Sequence, residues 1–434
     1  MKTLGLDIGT TTISAVVYEE GRGVLASRTV KNDSWLSGES WERLQDPAVI
    51  YEKSLDSVKA LLVEHPDVQA IGLSGQMHGI LYLNDRGEPV SPLYIWQDGR
   101  GDLPYDESES WAAHLSRLTG YALATGYGMV THYYNVNHGL VPADAAVLCT
   151  IHDYVAMKLS GRTSPLTEPT DAASLGLYDG PNRCFDLAAL EKADIDPVIL
   201  PGIVEDPCLG TGELGVPVYA ALGDNQASFL GATGGRTDVL LVNMGTGGQI
   251  SVYSPDHVMT DTLETRPFPD GGWLLVGASL CGGRSYALLE NFFCQTVKMV
   301  TGEEVSTYEA MARLMEANPV PENIPETVTL FQGTRKNPDL RGSITGIGTE
   351  NFTPLHLIYG VMNGMARELQ QMYQGYLDIG GKALAAMIGS GNGLRKNKHL
   401  CRVFEEAFRC PLILSENDEE AACGAAIYAM KHSR

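Results

Sequence analysis

Residues 7–12, Asp-Ile-Gly-Thr-Thr-Thr, interrupt an apolar segment with an acid, a glycine and three hydroxyls before alternating apolar residues resume at Ile13. A tight turn needs one or two such residues, so this composition indicates that a polar ligand binds here. The backbone N–H groups and the hydroxyls of Thr10, Thr11 and Thr12 could bind phosphate oxygens. Asp7, at the end of the first strand, could hold Mg²⁺ directly or through water. The alternative is a plain tight turn in which the threonines serve as strand formers.

Two further glycine-rich loops follow apolar strands. Met-Gly-Thr-Gly-Gly at 244–248 echoes the first loop and again leads into an alternating strand. This echo indicates a structural repeat with a second phosphate loop. Gly-Ser-Gly-Asn-Gly at 389–393 lacks side chains that would keep a flat base or a ribose away from the backbone, so it is a candidate nucleoside site. A flexible connector is the alternative interpretation of this third loop.

A lone acid, Asp224, stands between an apolar strand and a run of small, helix-forming residues. Acids at the carboxyl end of a strand are common in α/β active sites. Asp224 could accept the proton of a substrate hydroxyl, as the aspartate base of protein kinases does. The alternative is that Asp224 or Asn225 only caps the following helix.

Two segments, 74–83 and 93–100, place polar side chains within apolar strands. They supply Gln76, His78 and Trp96, together with Gln97, Asp98 and Arg100. Polar groups beside a tryptophan are typical of a pocket that hydrogen-bonds hydroxyls and packs against the face of a sugar. For His78 taken alone, a histidine satisfied within the core is the stronger interpretation.

The composition excludes several classes of protein. The chain has 434 residues and a formal net charge of −22, which argues against nucleic acid or an anionic membrane as a partner. No apolar run approaches the ~18 residues of a membrane span, and the N-terminus lacks the features of a secretory signal. The eight cysteines show no metal-binding spacing. We therefore expect a cytoplasmic protein with reduced thiols, a monomer or a homodimer.

The order of predicted elements indicates an α/β protein of two domains. Strands are expected at 4–6, 13–18 and 24–30, a helix at 46–64 that begins at Asp46-Pro47, and a strand at 68–73. A strand-turn-strand pattern restarts at 238–254, and an apolar stripe predicts a helix over 355–376. Helices are also expected at 399–409 and 419–431. The turn-rich stretch 231–238 is the predicted boundary, which gives domains at 1–232 and 233–434.

These motifs, in this order along essentially the whole chain, resemble the FGGY carbohydrate kinases. The matching segments are the loop at 7–11, Gly-Gln-Met-His-Gly at 75–79, Trp-x-Asp-x-Arg at 96–100, His-Asp-Tyr at 152–154, the segment 170–179, Gly-Asp-Asn at 223–225, and the loops at 245–248 and 389–393. The family's first signature is poorly matched at 131–140, which lacks the usual lysine and tryptophan. That difference affects packing around the substrate more than phosphate chemistry.

The resemblance implies a fold, a reaction and a set of site residues. The fold would be the two-domain actin-like ATPase (ribonuclease H-like) fold with an interdomain cleft. The first domain would carry the sugar site, one phosphate loop and the base, and the second would carry the other phosphate loop and the adenosine site. The implied roles are the catalytic base (Asp224), a magnesium ligand (Asp7), phosphate contacts (Thr10, Thr11, Gly245, Thr246), adenosine contacts (Gly389, Gly391, Asn392, Asn397) and sugar contacts (Gln76, Met77, His78, Asn225).

The predicted function is ATP- and Mg²⁺-dependent phosphorylation of the terminal primary hydroxyl of a ketose. Segments 277–293, 331–347 and 389–397 resemble sedoheptulokinases most closely, so sedoheptulose is the expected substrate. The motif at 75–79 is shared with xylulokinases, so xylulose or another pentulose or polyol is the alternative. A non-catalytic actin-like ATP-binding protein is the competing class, but it would need neither an acid at position 224 nor a sugar pocket.

Overall fold

The computed structural model describes residues 1–334 and 337–434, and these residues form two compact units. The first unit comprises residues 1–235, 266–271 and 417–434, and the second comprises residues 236–265 and 272–416. The second unit thus begins within the predicted boundary stretch 231–238. The functional division into domains 1–232 and 233–434 stays a prediction.

The first unit is built on a seven-stranded mixed sheet. Its strands are β1 (Lys2–Ile8), β2 (Thr12–Glu19), β3 (Gly23–Lys31), β4 (Ile71–Gly75), β5 (Cys208–Gly210), β6 (Val218–Tyr219) and β7 (Leu222–Gly223). Strands β1, β2 and β3 form the predicted antiparallel meander, whereas β4 pairs with β1, β6 and β7 in parallel. The strand predicted at 68–73 is shifted towards the C-terminus in the structure, since β4 begins at Ile71 and ends at Gly75.

The helices of this unit surround the sheet. They are α1 (Pro47–Glu64), α2 (Trp111–Thr119), α3 (Gly128–Asn137), α4 (Ile151–Ser160), α5 (Pro169–Leu175), α6 (Leu187–Lys192), α7 (Asp224–Thr233) and the C-terminal helix (Glu420–His432). The carboxylate of Asp46 accepts a hydrogen bond from the Ala48 N–H and caps α1, with Pro47 as its first residue. Helices α1 and α4 share one hydrophobic core with the sheet.

The C-terminal helix packs closely because glycines face it. A Cβ atom at Gly5 of β1 would lie 1.8 Å from the Ala422 carbonyl oxygen. Gly424, within this helix, is also in close contact with a neighbouring element. A Cβ atom at Gly424 would lie 1.8 Å from the carbonyl oxygen of Ala227 in α7, so a neighbouring helix explains this glycine.

The second unit repeats the arrangement of the first. Its sheet contains β8 (Leu240–Met244), β9 (Gly248–Ser254), β10 (Trp273–Ser279), β11 (Met387–Ser390) and β12 (Leu412–Leu414). An antiparallel meander β8-β9-β10 is again continued by parallel strands, with β11 beside β8 and β12 beside β11. The structural repeat predicted from the two glycine-threonine loops is therefore present in the topology.

The helices of the second unit are α8 (Gly282–Thr301), α9 (Tyr308–Ala317), α10 (Pro354–Asp378), α11 (Asn392–Arg395) and α12 (Lys398–Phe408). The apolar stripe predicted over 355–376 belongs to α10, whose buried face packs in the core of this unit. Among the described helices of both units, none has the length and apolar composition of a membrane span.

Candidate active site

Three parallel strands of the first unit bring Asp7 and Asp224 to the same edge of the sheet. Asp7 of β1 is paired with Ser74 of β4, and Ser74 is paired with Leu222 of β7. Asp224 follows immediately after β7. Because the carboxyl ends of neighbouring parallel strands meet at one edge, two acids far apart in sequence become neighbours in space.

Asp224 has the electrostatic properties of a general base. It is partly buried as the first residue of α7. Burial raises its pKa to about 6, the charge of Asp7 raises it as well, and the charges of His152 and Arg266 oppose the increase. Such a carboxylate is ionised at neutral pH yet basic enough to accept a proton in a reaction. The N-cap position of α7 is Gly223, and Asp224 is the first helical residue, where its carboxylate accepts a hydrogen bond from the Asn225 N–H.

The surroundings of Asp7 fit a magnesium ion. The Ser74 hydroxyl donates a hydrogen bond of 2.6 Å to Asp7 Oδ1. Burial raises the pKa of Asp7, the Ser74 hydrogen bond lowers it, and the charge of Glu419 raises it. Among the described residues, no group of three or more His, Cys, Asp or Glu side chains is arranged as a metal centre. Mg²⁺ is often held by one or two carboxylates, with phosphate oxygens and water as its other ligands, and Asp7 could supply such a carboxylate.

A buried histidine lies close to these acids. His152 of α4 has no exposed surface, and its Nε2 lies 2.8 Å from Asp171 Oδ2. A Cβ atom at Gly75 would lie only 2.7 Å from His152 Nδ1, so glycine at this position makes room for the ring. Burial lowers the pKa of His152, while carboxylates including Asp153 and Asp224 raise it. No role was predicted for His152, although the matching motif His-Asp-Tyr at 152–154 was a signal that pointed to it.

The first glycine-threonine loop is linked to residues predicted for the sugar site. The Thr10 hydroxyl donates a hydrogen bond to Gln76 Oε1 at 3.1 Å and accepts one from Trp96 Nε1 at 3.0 Å. Thr11 and Thr12 are exposed at the tip of the loop. Trp96 is 45% exposed, so its ring face is open to solvent while its N–H is held.

Met77, His78 and Asn225, the remaining predicted sugar residues, lie in the same unit and differ in their burial and contacts. Met77 is buried, and a Cβ atom at Gly223 would lie 2.9 Å from its Sδ. His78 is partly exposed with a positive φ of 76°, and its Nδ1 lies 2.7 Å from the Ser174 carbonyl oxygen. Asn225 Oδ1 accepts a hydrogen bond of 3.4 Å from Arg266, a residue that sequence analysis missed.

Two residues of the matching motif 96–100 form a buried ion pair that stabilises the fold. Asp98 and Arg100 are buried, and Arg100 Nε donates to Asp98 Oδ1 at 2.6 Å. The guanidinium also lies 4.2 Å from the ring centroid of Tyr94, a cation–π contact. This buried pair holds the segment that presents Trp96.

The second glycine-threonine loop, residues 244–248, lies in the second unit and contacts the start of α8. The N–H groups of Gly283 and Arg284 donate hydrogen bonds of 3.0 Å to the carbonyl oxygens of Gly245 and Thr246. A Cβ atom at Gly282 would lie 2.4 Å from the backbone of Gly247. The close contact orients the loop while leaving Gly245 and Thr246 exposed.

The third glycine loop has a backbone reason for its glycines. Gly391 has a φ of 82°, and a Cβ atom there would lie 2.7 Å from the Met244 carbonyl oxygen of β8. Gly389 is buried within β11, where a Cβ atom would meet the side chains of Leu412 and Leu394. Gly389 therefore borders the core. Close contacts within the protein explain the glycine at both positions without a ligand.

A pocket of about 910 Å³ lies in the second unit and collects most of the predicted nucleotide residues. It is lined by Gly245, Thr246, Gly391, Asn392 and Asn397 of the predicted set, but not by Gly389. Asn397 Oδ1 also accepts hydrogen bonds from the His399 and Leu400 N–H groups and thereby caps α12. The size of the pocket suits a nucleotide.

Groups that sequence analysis did not single out complete this pocket. Tyr286 and Tyr308 stack with their ring centroids 6.0 Å apart, and Arg284 and Lys396 add positive charge. Aromatic rings pack against a nucleobase, and local positive charge offsets the net negative charge of the chain near phosphates.

Nearly the whole chain matches a known family of proteins. The N-terminal domain of the FGGY family of carbohydrate kinases matches residues 2–231, and the C-terminal domain of that family matches residues 240–433. The chain is 31% identical to sedoheptulokinase of Mus musculus and 29% identical to that of Homo sapiens, each over 99% of this chain and 97% of the relative.

More distant relatives share the same overall fold. Xylulose kinase of Staphylococcus xylosus is 23% identical over 98% of this chain and 90% of its own length. The crystal structure of a xyloylose kinase from Brucella ovis, 21% identical, superposes with a TM-score of 0.83 over 100% of this chain and 90% of the other. The predicted actin-like α/β fold is thereby confirmed.

Proposed function

The chain belongs to the FGGY family of carbohydrate kinases, which makes it an ATP-dependent sugar kinase, and from this premise we propose that it converts sedoheptulose to sedoheptulose 7-phosphate. The observation that carries the choice of sugar is the 31% identity to a sedoheptulokinase, against 23% for a xylulose kinase, with both relatives spanning nearly the whole chain. Membership of a kinase family decides against the competing hypothesis of a non-catalytic ATP-binding protein.

Sequence features of the second unit support the same sugar. The segments 277–293 and 331–347 resemble sedoheptulokinases, and the first of them includes the glycines that support the loop at 245–248. Arg335 and Lys336 of the second segment lie outside the described residues. The poorly matched signature at 131–140 also departs from the lysine-tryptophan pattern expected of a xylulokinase.

In the proposed reaction, the oxygen of the terminal hydroxyl attacks the γ-phosphorus of ATP. A new phosphorus–oxygen bond forms as the bond to the β–γ bridging oxygen breaks, and ADP leaves. The hydroxyl proton passes to the carboxylate of Asp224, whose pKa of about 6 allows it to be ionised before the reaction and protonated during it.

The phosphate and metal groups are assigned as follows in this proposal. Thr10, Thr11 and Thr12 in the first unit and Gly245 and Thr246 in the second contact the phosphates. Asp7 would hold Mg²⁺, which when bound offsets the negative charge of the phosphoryl group. The side of the pocket formed by Gly391, Asn392 and Asn397 would take the adenosine.

The sugar is proposed to contact Gln76, Met77, His78, Trp96 and Asn225. The open face of Trp96 suits the apolar face of a sugar, while the polar side chains suit its hydroxyls. The Asn225 amide is oriented by Arg266 beside the proposed base, where it would meet the hydroxyl that is phosphorylated or its neighbour.

A panel of sugars tests the substrate. ADP formation would be measured with sedoheptulose, xylulose, ribulose and glycerol at matched concentrations, and the phosphorylated product would be identified by mass. We expect kcat/KM to be highest for sedoheptulose, lower for the two pentuloses and negligible for glycerol. A site built for the longer sugar leaves polar groups unpaired when a shorter one binds, a mismatch that can discriminate by ~10⁴-fold. If xylulose equals or exceeds sedoheptulose, the proposed substrate is wrong.

A further inference from the structure

We propose that Gln45 is a positioning residue of this kinase, which ties the sugar pocket to the first phosphate loop. Gln45 lies in the short strand Leu44–Gln45, just before α1, and has no exposed surface. Its Nε2 donates a hydrogen bond of 2.9 Å to the backbone carbonyl oxygen of Thr10, and its Oε1 accepts one of 3.0 Å from Gln76 Nε2. One buried side chain thus contacts both predicted sites of the first unit.

The hydrogen bonds around Gln45 form a closed ring. Gln45 bonds the Thr10 carbonyl, the Thr10 hydroxyl bonds Gln76 Oε1 at 3.1 Å, and Gln76 Nε2 bonds Gln45. Reversing either amide would place two acceptors or two donors against each other, so each group has one orientation. Trp96 Nε1 joins the ring through the Thr10 hydroxyl.

The ring decides how Thr10 can act. A hydroxyl has one proton to donate, and Thr10 donates its proton to Gln76. The exposed hydroxyls of Thr11 and Thr12 therefore remain available to bind phosphate, and Thr10 would contribute its backbone N–H. A sugar that moves Gln76 or Trp96 moves Thr10 as well, because they share hydrogen bonds.

This inference rests on the proposed roles of Thr10 at the phosphates and of Gln76 and Trp96 at the sugar, but not on which sugar is used. If Gln45 positions the loop, its loss misplaces the phosphoryl donor relative to the acceptor hydroxyl, and water competes more effectively for transfer. If the buried hydrogen bonds of Gln45 only stabilise the fold, its loss lowers stability and leaves the kinetics of the folded enzyme unchanged.

The test is Gln45→Met, which keeps a similar volume and removes both hydrogen bonds. With the panel sugar that the wild type phosphorylates fastest, we expect kcat to fall ~10- to 100-fold for a misplaced reacting group. We also expect the KM for sugar to rise and more than one ADP to form per sugar phosphate. Choosing the best panel sugar keeps this test valid even if sedoheptulose is the wrong substrate.

Thr3→Val is the matched control. The Thr3 hydroxyl donates a buried hydrogen bond of 2.9 Å to the Ala426 carbonyl oxygen, at the opposite end of β1 from the loop. Its loss should lower the melting temperature without changing KM or the ratio of ADP to product. The inference is overturned if Gln45→Met has wild-type KM and ratio, or if Thr3→Val changes them equally.

A mutant cycle with Gln76→Met tests the closed ring itself. Either substitution opens the ring, so the double variant should be no more impaired than the worse single variant; effects on kcat/KM that multiply would overturn the inference. Should Gln45→Met fail to fold, two other variants serve. Gln45→Glu keeps the volume and the acceptor but loses the donation to Thr10, and Trp96→Phe keeps an aromatic ring for the sugar but loses the hydrogen bond to the Thr10 hydroxyl. Both should raise the ratio of ADP to product, and a wild-type ratio in both overturns the inference.

Discussion

Replacing Asp224 by asparagine should remove activity and stabilise the protein above pH 6. The carboxylate is proposed as the general base, and loss of such a base lowers kcat by at least ~10²-fold. The asparagine is close in size, so the fold and ATP binding should persist. Activity of the wild type should fall as the pH drops through about 6, the pKa of Asp224.

The stability effect follows from the same pKa. Burial raises the pKa of Asp224 from 3.8 to about 6, so the folded state binds a proton more tightly than the unfolded state. Stability is therefore lost as the pH rises between these two values, and the full cost, ~3 kcal/mol for about two pKa units, applies above pH 6. Asparagine cannot ionise and avoids this cost.

Thermal unfolding of both proteins from pH 3.5 to 8 measures the difference. A change of 1 kcal/mol shifts the melting temperature by ~2–4 °C in a domain of 150–250 residues, so the variant should melt ~6 °C or more above the wild type at pH 8. The two should coincide near pH 3.5. Asp186→Asn is the control of opposite sign, because hydrogen bonds from the Ala189 N–H and from Tyr121 lower the pKa of Asp186.

Two results would refute this reasoning. Near wild-type turnover in the Asp224→Asn variant would exclude Asp224 as the base. A stability difference that does not change with pH would show that Asp224 is not held at a raised pKa in the folded protein.

Two further substitutions test the loops and the buried histidine. Gly391→Val should raise the KM for ATP and also destabilise the second unit, because Gly391 has a φ of 82° and its Cβ would press against the Met244 carbonyl oxygen; unchanged ATP affinity with only a lower melting temperature would mean that this loop is a connector. Gly75→Ala should lower kcat by displacing His152, whose Nδ1 would lie 2.7 Å from the new Cβ. Gly139→Ala controls for a general loss of stability, because its Cβ meets no atom within 4 Å but its φ of 63° strains the backbone; equal kcat values for the two variants would show that the position of His152 does not matter.

Sequence patterns were sufficient where function depends on local geometry. Alternating and helical spacing located the meander of β1, β2 and β3, the capped helix α1 and the long helix α10, because burial of one face imposes the period of each element. Glycine-threonine loops could be found for the same reason, since a turn that exposes N–H groups needs small residues. The family resemblance, carried by such local motifs, was confirmed.

Contacts between residues that are far apart in the sequence could be identified only from the tertiary structure. The motifs predict a sugar contact for Gln76 and a phosphate contact for Thr10, but only the folded chain shows these residues hydrogen-bonded to each other and to Gln45. No role was predicted for His152, although α4 places this residue 2.8 Å from Asp171 and near both acids of the site.

The sequence by itself determined the residue types, the elements and the two loops that lead each repeat. The tertiary structure decided which of those residues meet. Asp7 and Asp224 come together because β1, β4 and β7 run parallel in one sheet, and the pKa of Asp224 rises to about 6 because that sheet edge is buried and already carries another acid. Burial and charge proximity are properties of the packed chain, so no reading of neighbouring residues could have supplied them.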